Sequence, residues 1–370
     1  MKIRSIICTL WIFLIVPGLC LAQVERFEAP PDTILTFTGA RLYSRTLKTD
    51  DAVEEKVSQW VFPLFASGQI TEDLSVRVYQ TVSTAKLKDG PSISGLESTR
   101  IRGAYSLLDD ALVTYLGISL PRAKNDPDSD TVRLSSLLYS QELQFGVGRL
   151  TEGLDLDMGF AYARPFGRLS LGVGAGYVVK GGYERLSNEG GIVDYNPGDA
   201  LSLTTGFHYL TNLASLRGRI LYLNYGDDTI DEDEVFKSGN ELSFIASTTL
   251  RLRPIILVLY LVDTIKGEND DLQSQLPVSN LFTNRLKGSI SLAYPMLNDA
   301  LILKTQANLK RFSDEGDINA KATSFAGGFR LVFNDKLTTD VLVGFITGDR
   351  NAGATDISGF NLGLMVNYGF

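Results

Sequence analysis

Charged side chains recur at alternate positions inside otherwise apolar stretches of this sequence. Arg100 and Arg102 are separated by one residue in TRIRGAY, and Asp155 and Asp157 have the same spacing in LDLDMGF. Because successive side chains of a β-strand point to opposite faces, each pair would share one face and leave the apolar residues on the other. Such a face could orient small solutes through charge-assisted hydrogen bonds. Alternatively, the opposite charges pair with each other and fill the space as internal salt bridges.

The same alternation places further charged residues on that polar face, which we expect to line a lumen. A second basic wall comprises Arg285, Lys287, Lys304, Gln306, Asn308, Lys310 and Arg330. The lumen-lining candidates are Arg77, Arg100, Arg102, Asp155, Asp157, Lys287, Lys304 and Arg330.

One stretch is apolar on both faces, IILVLYLV at 255–262. If Leu257 and Leu259 face lipid, then Ile256, Val258 and Tyr260 form an apolar patch on the lumen side. Apolar surface left in water costs about 25 cal/mol per Å² relative to burial, so the patch should be covered. An inserted loop or the segment 23–32 would cover it, or a passing hydrophobic solute would do so.

Catalytic chemistry finds little support in the residue types present. His208 is the one histidine, and Ser202 and Thr204 on the same strand face are too far along the chain to be direct partners. The two cysteines, Cys8 and Cys20, both precede the predicted mature chain. We therefore expect no enzyme, no cofactor and no metal site, and the net charge of −8 argues against a nucleic-acid partner.

The strands that must position these residues are most evident at the C-terminus. In GFNLGLMVNYGF (359–370), apolar residues alternate with small or polar ones up to Tyr368 and Phe370. A soluble sandwich could contain such a strand, but the ending resembles the last strand of bacterial outer-membrane β-barrels. In that class Tyr368 and Phe370 would form the insertion signal that the barrel-assembly machinery reads.

The other terminus predicts export. Lys2 and Arg4 precede an apolar run at 6–16, followed by Pro17 and a small residue at Ala22. This order is typical of a secretory signal peptide, which we place at 1–22 with the barrel at 23–370.

Alternating segments of about ten residues follow one another along the remainder, and short Gly-, Pro-, Asn- and Asp-rich turns alternate with longer connections. The pattern predicts an all-β chain forming one transmembrane antiparallel barrel of about 16 strands, with 14 as the alternative. Short turns would face the periplasm and long loops the exterior of a Gram-negative cell, beside outer-membrane lipid and lipopolysaccharide. The predicted long connections are 45–55, 84–95, 122–142, 181–198, 226–239, 265–283, 311–319 and 348–356. The role of 131–152 stays open between a helical turn, an upward extension of the next strand and a constriction loop.

Two adjacent strands carry a family resemblance. SGLESTRIRGAYSL (94–107) and LVTYLGISLPRA (112–123) resemble the outer-membrane barrels of the phenol meta-pathway family, which is similar to the long-chain fatty-acid transporters. The resemblance implies passive diffusion of small hydrophobic or aromatic solutes. The sequence thus favours a transport channel, and the alternative is a non-transporting structural or adhesin-type surface barrel.

Overall fold

The computed structural model describes residues 35–49, 54–96, 99–121, 129–147, 153–186, 192–271, 284–314, 317–350 and 353–369. The predicted signal peptide, the segment 23–32 and Phe370 lie outside the described residues. The elements in chain order are β1 (Leu35–Thr49), β2 (Glu54–Gln69), β3 (Leu74–Leu87), β4 (Ser92–Leu96), β5 (Thr99–Leu107), β6 (Leu112–Leu120), α1 (Ser129–Tyr139), β7 (Asp155–Phe166), β8 (Leu169–Val179), β9 (Tyr183–Leu186), β10 (Ile192–Asn196), β11 (Ala200–Leu210), β12 (Ala214–Tyr225), β13 (Asp227–Ile230), β14 (Asp233–Lys237), β15 (Glu241–Leu252), β16 (Ile255–Lys266), β17 (Asp270–Asp271), β18 (Asn284–Met296), β19 (Leu301–Asp314), β20 (Asp317–Val332), β21 (Leu337–Arg350) and β22 (Thr355–Gly369).

The main sheet closes on itself because β1 pairs with both β2 and β22. Every neighbouring pair is antiparallel, and β4 and β5 follow one another along β3, so they share one position in the wall. The result is the predicted barrel of 16 strands. Closure leaves no unpaired strand edge, which is the condition for a sheet to stand in lipid.

The two faces of the wall differ as the alternation predicts. On β2, Trp60, Phe62 and Leu64 are exposed on the outer face, whereas Gln59 and Val61 between them are buried on the inner face. On β22 the exposed residues are Phe360, Leu362, Leu364 and Tyr368, and Asn361, Gly363 and Met365 face inward. An apolar exterior around a polar interior is the arrangement of a transmembrane barrel.

Short turns join the strands at one end of the barrel, which we call the turn end; the opposite end is the loop end. Four predicted long connections, at 45–55, 84–95, 311–319 and 348–356, are wrong in extent because most of their residues belong to strands of the barrel wall. The wall continues there beyond its apolar belt: Asp356 and Ser358 are exposed on the outer face of β22 yet keep their backbone pairing with β21. The sequence pattern assigns such polar residues to connections because they lie outside the apolar belt.

Part of the loop end carries a second, five-stranded sheet of β9, β10, β13, β14 and β17. Its small core consists of Tyr195, Ile230 and Val235. Lys237 lies 3.0 Å from Asp227, and this hydrogen-bonded carboxylate raises the pKa of the lysine. The predicted long connections 181–198 and 226–239 are therefore partly ordered as strands at this end of the barrel.

The long connection between β6 and β7 folds into the loop end of the lumen. Residues 129–147, which we call the inserted segment, comprise α1 and an irregular run that packs on the inner faces of β1, β2, β4 and β22. Residues 131–147 therefore agree with the hypothesis of a loop that folds into the lumen. The alternative of an upward extension of the next strand is wrong for 145–147, which form no strand. In the described residues, no helix is long and apolar enough to cross a membrane.

Candidate functional site

The first predicted group of cations lies on the inner wall near the turn end. Arg77 of β3 stands opposite Arg102 of β5 in the strand register, and Arg100 stands opposite Tyr79. Ile101 and Tyr105, on the alternate face of β5, are exposed outward. Arg77, Arg100 and Arg102 thus occupy one inward-facing patch, as the spacing predicts.

Arg102 is held by two fixed partners. Its Nη2 donates to Oδ2 of Asp157 at 2.6 Å, and its guanidinium carbon lies 4.8 Å from the centroid of the Tyr115 ring. Asp157 can reach across β6 because position 117 is glycine: a Cβ there would lie 2.3 Å from Oδ1 of Asp157. One predicted inward aspartate therefore pairs with one predicted inward arginine.

The Tyr115 ring lies against the inner face of β7 and β8. A Cβ at Gly159 or Gly176 would come within 2.5 Å or 2.3 Å of its hydroxyl oxygen. Only the absence of side chains at these two positions of β7 and β8 lets the ring lie flat beneath Arg102. The glycine-rich strand β8 thus supports the arrangement of the cations.

Asp155 has a different partner from Asp157. Lys180 Nζ donates to its Oδ2 at 2.5 Å, and the backbone N–H of Gly181 donates to its Oδ1 at 3.2 Å. This pair lies towards the loop end of β7. The two aspartates share a face as predicted but belong to separate contacts.

The second basic wall is partly neutralised at the turn end. Asp340 of β21 accepts hydrogen bonds from Arg330 Nη2 at 2.9 Å and from Lys304 Nζ at 3.1 Å. The Arg330 side chain is only 6% exposed, and its Nε and Nη2 both donate hydrogen bonds to this carboxylate. Nearer the loop end, Arg285 pairs with Glu241 on β15, and Lys287 Nζ lies 5.6 Å from the centroid of the Tyr260 ring.

Two arginines of the lumen were missed from the sequence. Arg217 and Arg219 of β12 face inward, because Leu216 and Ile220 on the alternate positions are exposed outside. The signal was present, since the same alternation that identified Arg100 and Arg102 runs through SLRGRI. We call Arg77, Arg102, Arg217, Arg219, Lys304 and Arg330 the turn-end cations.

His208 faces inward and its Nε2 lies 2.8 Å from Oγ of Ser215. Ser215 comes from the neighbouring strand, and the predicted same-strand candidates instead bond backbone carbonyls: Ser202 to Gly176 and Thr204 to Ile220. In the described part of the chain no carboxylate is hydrogen-bonded to His208. The pair lacks the third group that orients an imidazole in a catalytic triad.

The apolar patch of β16 also has the predicted orientation. Ile256, Val258 and Tyr260 point inward, while Leu259 and Leu261 are exposed outside. Among the described residues, the apolar cluster around the inserted segment includes no residue of β16. That cluster therefore does not cover the patch, and 23–32 lies outside the described residues.

Arg45 fastens the inserted segment to the wall. It is 2% exposed, and its guanidinium donates to the carbonyls of Leu143 at 2.5 Å, Gln144 at 3.2 Å and Phe360 at 2.9 Å. The sequence pattern instead places this residue in the predicted connection 45–55. One buried cation thus joins the segment to both β1 and β22.

Gln59 of β2 makes a second fixed contact with the inserted segment. Its Nε2 donates to the carbonyl of Val147 at 2.9 Å, and its Oε1 accepts from the backbone N–H groups of Gly146 and Val147. Gly146 is needed for this approach, since a Cβ would lie 2.7 Å from the Tyr43 ring. Apolar packing completes the contact through residues that are buried on both sides, including Leu134, Leu138, Leu143, Val57, Val61 and Ile357.

Of the predicted insertion signal, Tyr368 lies on the outer face of β22 at the turn end, and its carbonyl accepts a hydrogen bond from Thr36 Oγ1 at 3.2 Å.

In the described residues no cluster of His, Cys, Asp and Glu is arranged to bind a metal ion.

Comparison with solved structures places this architecture among bacterial barrels. OprB of Pseudomonas putida superposes with a TM-score of 0.51 at 12% identity, over 92% of this chain and 94% of that chain. The fold is that of OprB. OccAB4 of Acinetobacter baumannii is also similar, with a TM-score of 0.48 at 10% identity over 92% of this chain and 98% of that chain. A scan against protein-family models and a search of curated protein sequences find no match. At this identity the likeness establishes the fold, and function must be argued from the lumen.

Proposed function

We propose that the chain is a passive diffusion channel for small solutes in the outer membrane of a Gram-negative bacterium, and not an enzyme. The observation that carries this proposal is the distribution of charge inside the wall. Near the turn end the six turn-end cations outnumber the two carboxylates that pair with some of them, Asp157 with Arg102 and Asp340 with Lys304 and Arg330. A wall that carries more cations than carboxylates is better tolerated beside water than in a dry interior, so this distribution fits an aqueous passage.

The excess of cations gives the channel a preference for anions. Charged walls of one sign concentrate counter-ions in a narrow aqueous passage. The chain as a whole has a net charge of −8, so the positive lumen is a local feature of the inner wall. The inserted segment narrows the lumen at the loop end. Solutes that pass this segment then meet the turn-end cations.

Aromatic or hydrophobic solutes are a second candidate class, favoured by the inward patch of Ile256, Val258 and Tyr260 on β16. The resemblance of 94–107 and 112–123 to the phenol meta-pathway barrels supports the same class. This resemblance is limited to residues 94–107 and 112–123, which include β5 and β6. The likeness to the OprB fold extends over most of the chain. We therefore keep the family assignment as a hypothesis.

Reconstitution of the purified chain into planar bilayers tests the proposal. We expect discrete conductance steps in potassium chloride, together with uptake of small solutes into liposomes that contain the protein. Heat-denatured protein at the same concentration is the control. A folded barrel that passes neither ions nor small solutes would favour the non-transporting structural or adhesin-type alternative.

A further inference from the structure

Two turns on opposite sides of the barrel share one sequence. AYSLLDDAL (104–112) connects β5 to β6 and AYPMLNDAL (293–301) connects β18 to β19, with identical residues at six of the nine positions. Around the closed wall, six strands separate the two hairpins in each direction, so the turns lie diametrically opposite each other. A physical reason for this sequence must therefore hold at two separate places.

The backbone of both turns is left-handed at three successive residues. These residues, with φ between 52° and 68°, are Leu108, Asp109, Asp110, Leu297, Asn298 and Asp299. Each turn is closed by a hydrogen bond from an alanine N–H to the carbonyl of its leucine, at 3.1 Å and 3.2 Å. Asp and Asn tolerate this conformation, whereas a bulky residue in it is an outlier that costs free energy. The leucine is thus the one left-handed residue of each turn that its backbone does not favour.

The same two leucines are strongly exposed. Leu108 is 68% exposed and Leu297 is 71% exposed. Among the non-glycine residues with positive φ in the described part of the chain, they are the only apolar ones. In water, glycine or asparagine would relieve the strain and a polar side chain would avoid the exposure. Leucine at this position in both turns therefore indicates a contact made outside the protein.

The surface beside each leucine is the lipid-facing face of the wall. In both hairpins a tyrosine and then an apolar residue precede the leucine at exposed outward positions: Tyr105 and Leu107 on β5, and Tyr294 and Met296 on β18. The outer face of a transmembrane barrel meets acyl chains, and tyrosine prefers the boundary between these chains and the headgroups. Each leucine thus continues a surface that lipid covers.

We propose that Leu108 and Leu297 bind the acyl chains of phospholipids in the membrane leaflet at the turn end and anchor the barrel there at two opposite points. Removal of apolar side-chain surface from water stabilises each leucine and offsets the cost of its left-handed backbone. The acidic or amide residues that follow each leucine stay in the headgroup region and water. This inference goes beyond the proposed channel and does not depend on what the lumen conducts.

Tryptophan fluorescence in vesicles of phosphatidylcholine tests the contact. The chain has two tryptophans, Trp11 and Trp60, and both are replaced by phenylalanine in the background protein. Leu108→Trp and Leu297→Trp, introduced singly in the full chain, then report the surroundings of each turn. Phosphatidylcholine brominated on its acyl chains near the ester groups should quench most of the fluorescence of both variants. Asn298→Trp, at the next position of one turn, is the matched control and should be quenched little and emit at longer wavelength.

A second set of variants separates an anchor from a merely strained turn by the sign of the effect. Asparagine accepts the left-handed backbone, so in a turn without lipid contact the double substitution Leu108→Asn and Leu297→Asn should raise the urea midpoint of unfolding from vesicles. Loss of the proposed lipid contact should instead lower this midpoint. Asp109→Asn keeps a polar residue in the same conformation, and its midpoint should stay near that of the wild type. Mobility on unheated gels confirms that each variant is folded.

If brominated lipid quenches Leu108→Trp and Leu297→Trp no more than Asn298→Trp, the lipid anchor is overturned and a periplasmic protein becomes the candidate occupant. A urea midpoint that rises or stays unchanged in the double asparagine variant would also overturn it. Neither measurement involves conductance, so the proposed channel stands or fails separately.

Discussion

Two arginines on strands β1 and β3 of this barrel, which lie on either side of β2, illustrate opposite uses of an inward-facing cation. Arg45, towards the loop end of β1, is 2% exposed and donates to backbone carbonyls of β1, β22 and the inserted segment. Arg77, towards the turn end of β3, faces another guanidinium, and in the described residues no carboxylate neutralises it. The first cation is satisfied by the protein and fixes structure, whereas the second stands in a region of the wall with more cations than carboxylates. Burial and partners, rather than residue type, separate a structural charge from a functional one.

The largest effect that distinguishes the two regions should come from Arg45→Ala. Loss of the guanidinium leaves buried carbonyls of Leu143, Gln144 and Phe360 without their donor, at a cost of about 1–3 kcal/mol for each unsatisfied group. We expect the inserted segment to detach, raising single-channel conductance severalfold and exposing 129–147 to protease. Lys310→Ala, which removes one rim contact to the carbonyl of Gln141, is the matched control and should change conductance little. An unchanged Arg45→Ala channel would mean that apolar packing alone fixes the segment.

A smaller structural effect should follow from Asp340→Asn at the turn end. This substitution leaves Arg330, whose side chain is 6% exposed, and Lys304 without their shared carboxylate. Breaking a buried pair by removing one partner costs about 3–5 kcal/mol, and the water of the lumen should reduce the loss here. The temperature at which the barrel unfolds on heated gels should fall while anion preference increases. A lower anion preference would contradict the assigned role of these cations.

Asp157→Asn tests the charged region without disturbing the inserted segment. It removes the carboxylate that pairs with Arg102 but leaves a side chain of similar size beside Gly117. We expect the chloride-to-potassium permeability ratio to rise by about threefold, corresponding to less than about 1 kcal/mol in a watery lumen. Bilayer recordings in a salt gradient measure it, and conductance magnitude should remain near that of the wild type.

The smallest expected effect concerns the apolar patch of Ile256, Val258 and Tyr260, which differs from the charged parts of the inner wall. Val258→Asp should reduce uptake of an uncharged aromatic solute such as phenol by about twofold to threefold, because the patch loses apolar contact area. Ion conductance and barrel stability should stay unchanged if only solutes cover the patch. A marked loss of stability would show that a part of the chain packs on it.

Local alternation was sufficient to predict the barrel, its strand number and the inward direction of residues such as Arg77 and Asp157. The same alternation runs through Arg217 and Arg219, which are absent from the predicted lumen-lining residues. The contacts that define each charge could not be predicted, because they depend on register between distant strands: Arg102 with Asp157 across Gly117, and His208 with Ser215. The position of the inserted segment depends on Arg45 and Gln59, whose partners lie about a hundred residues away in the chain. Such pairings have no local periodicity.

We expect the lumen to conduct and its turn-end cations to select anions. The most direct test is the zero-current potential of the wild-type protein in a planar bilayer under a tenfold potassium chloride gradient. We predict a measurable current whose reversal potential has the sign of chloride selectivity. A folded protein that conducts no current, or one that reverses on the potassium side, would contradict the account.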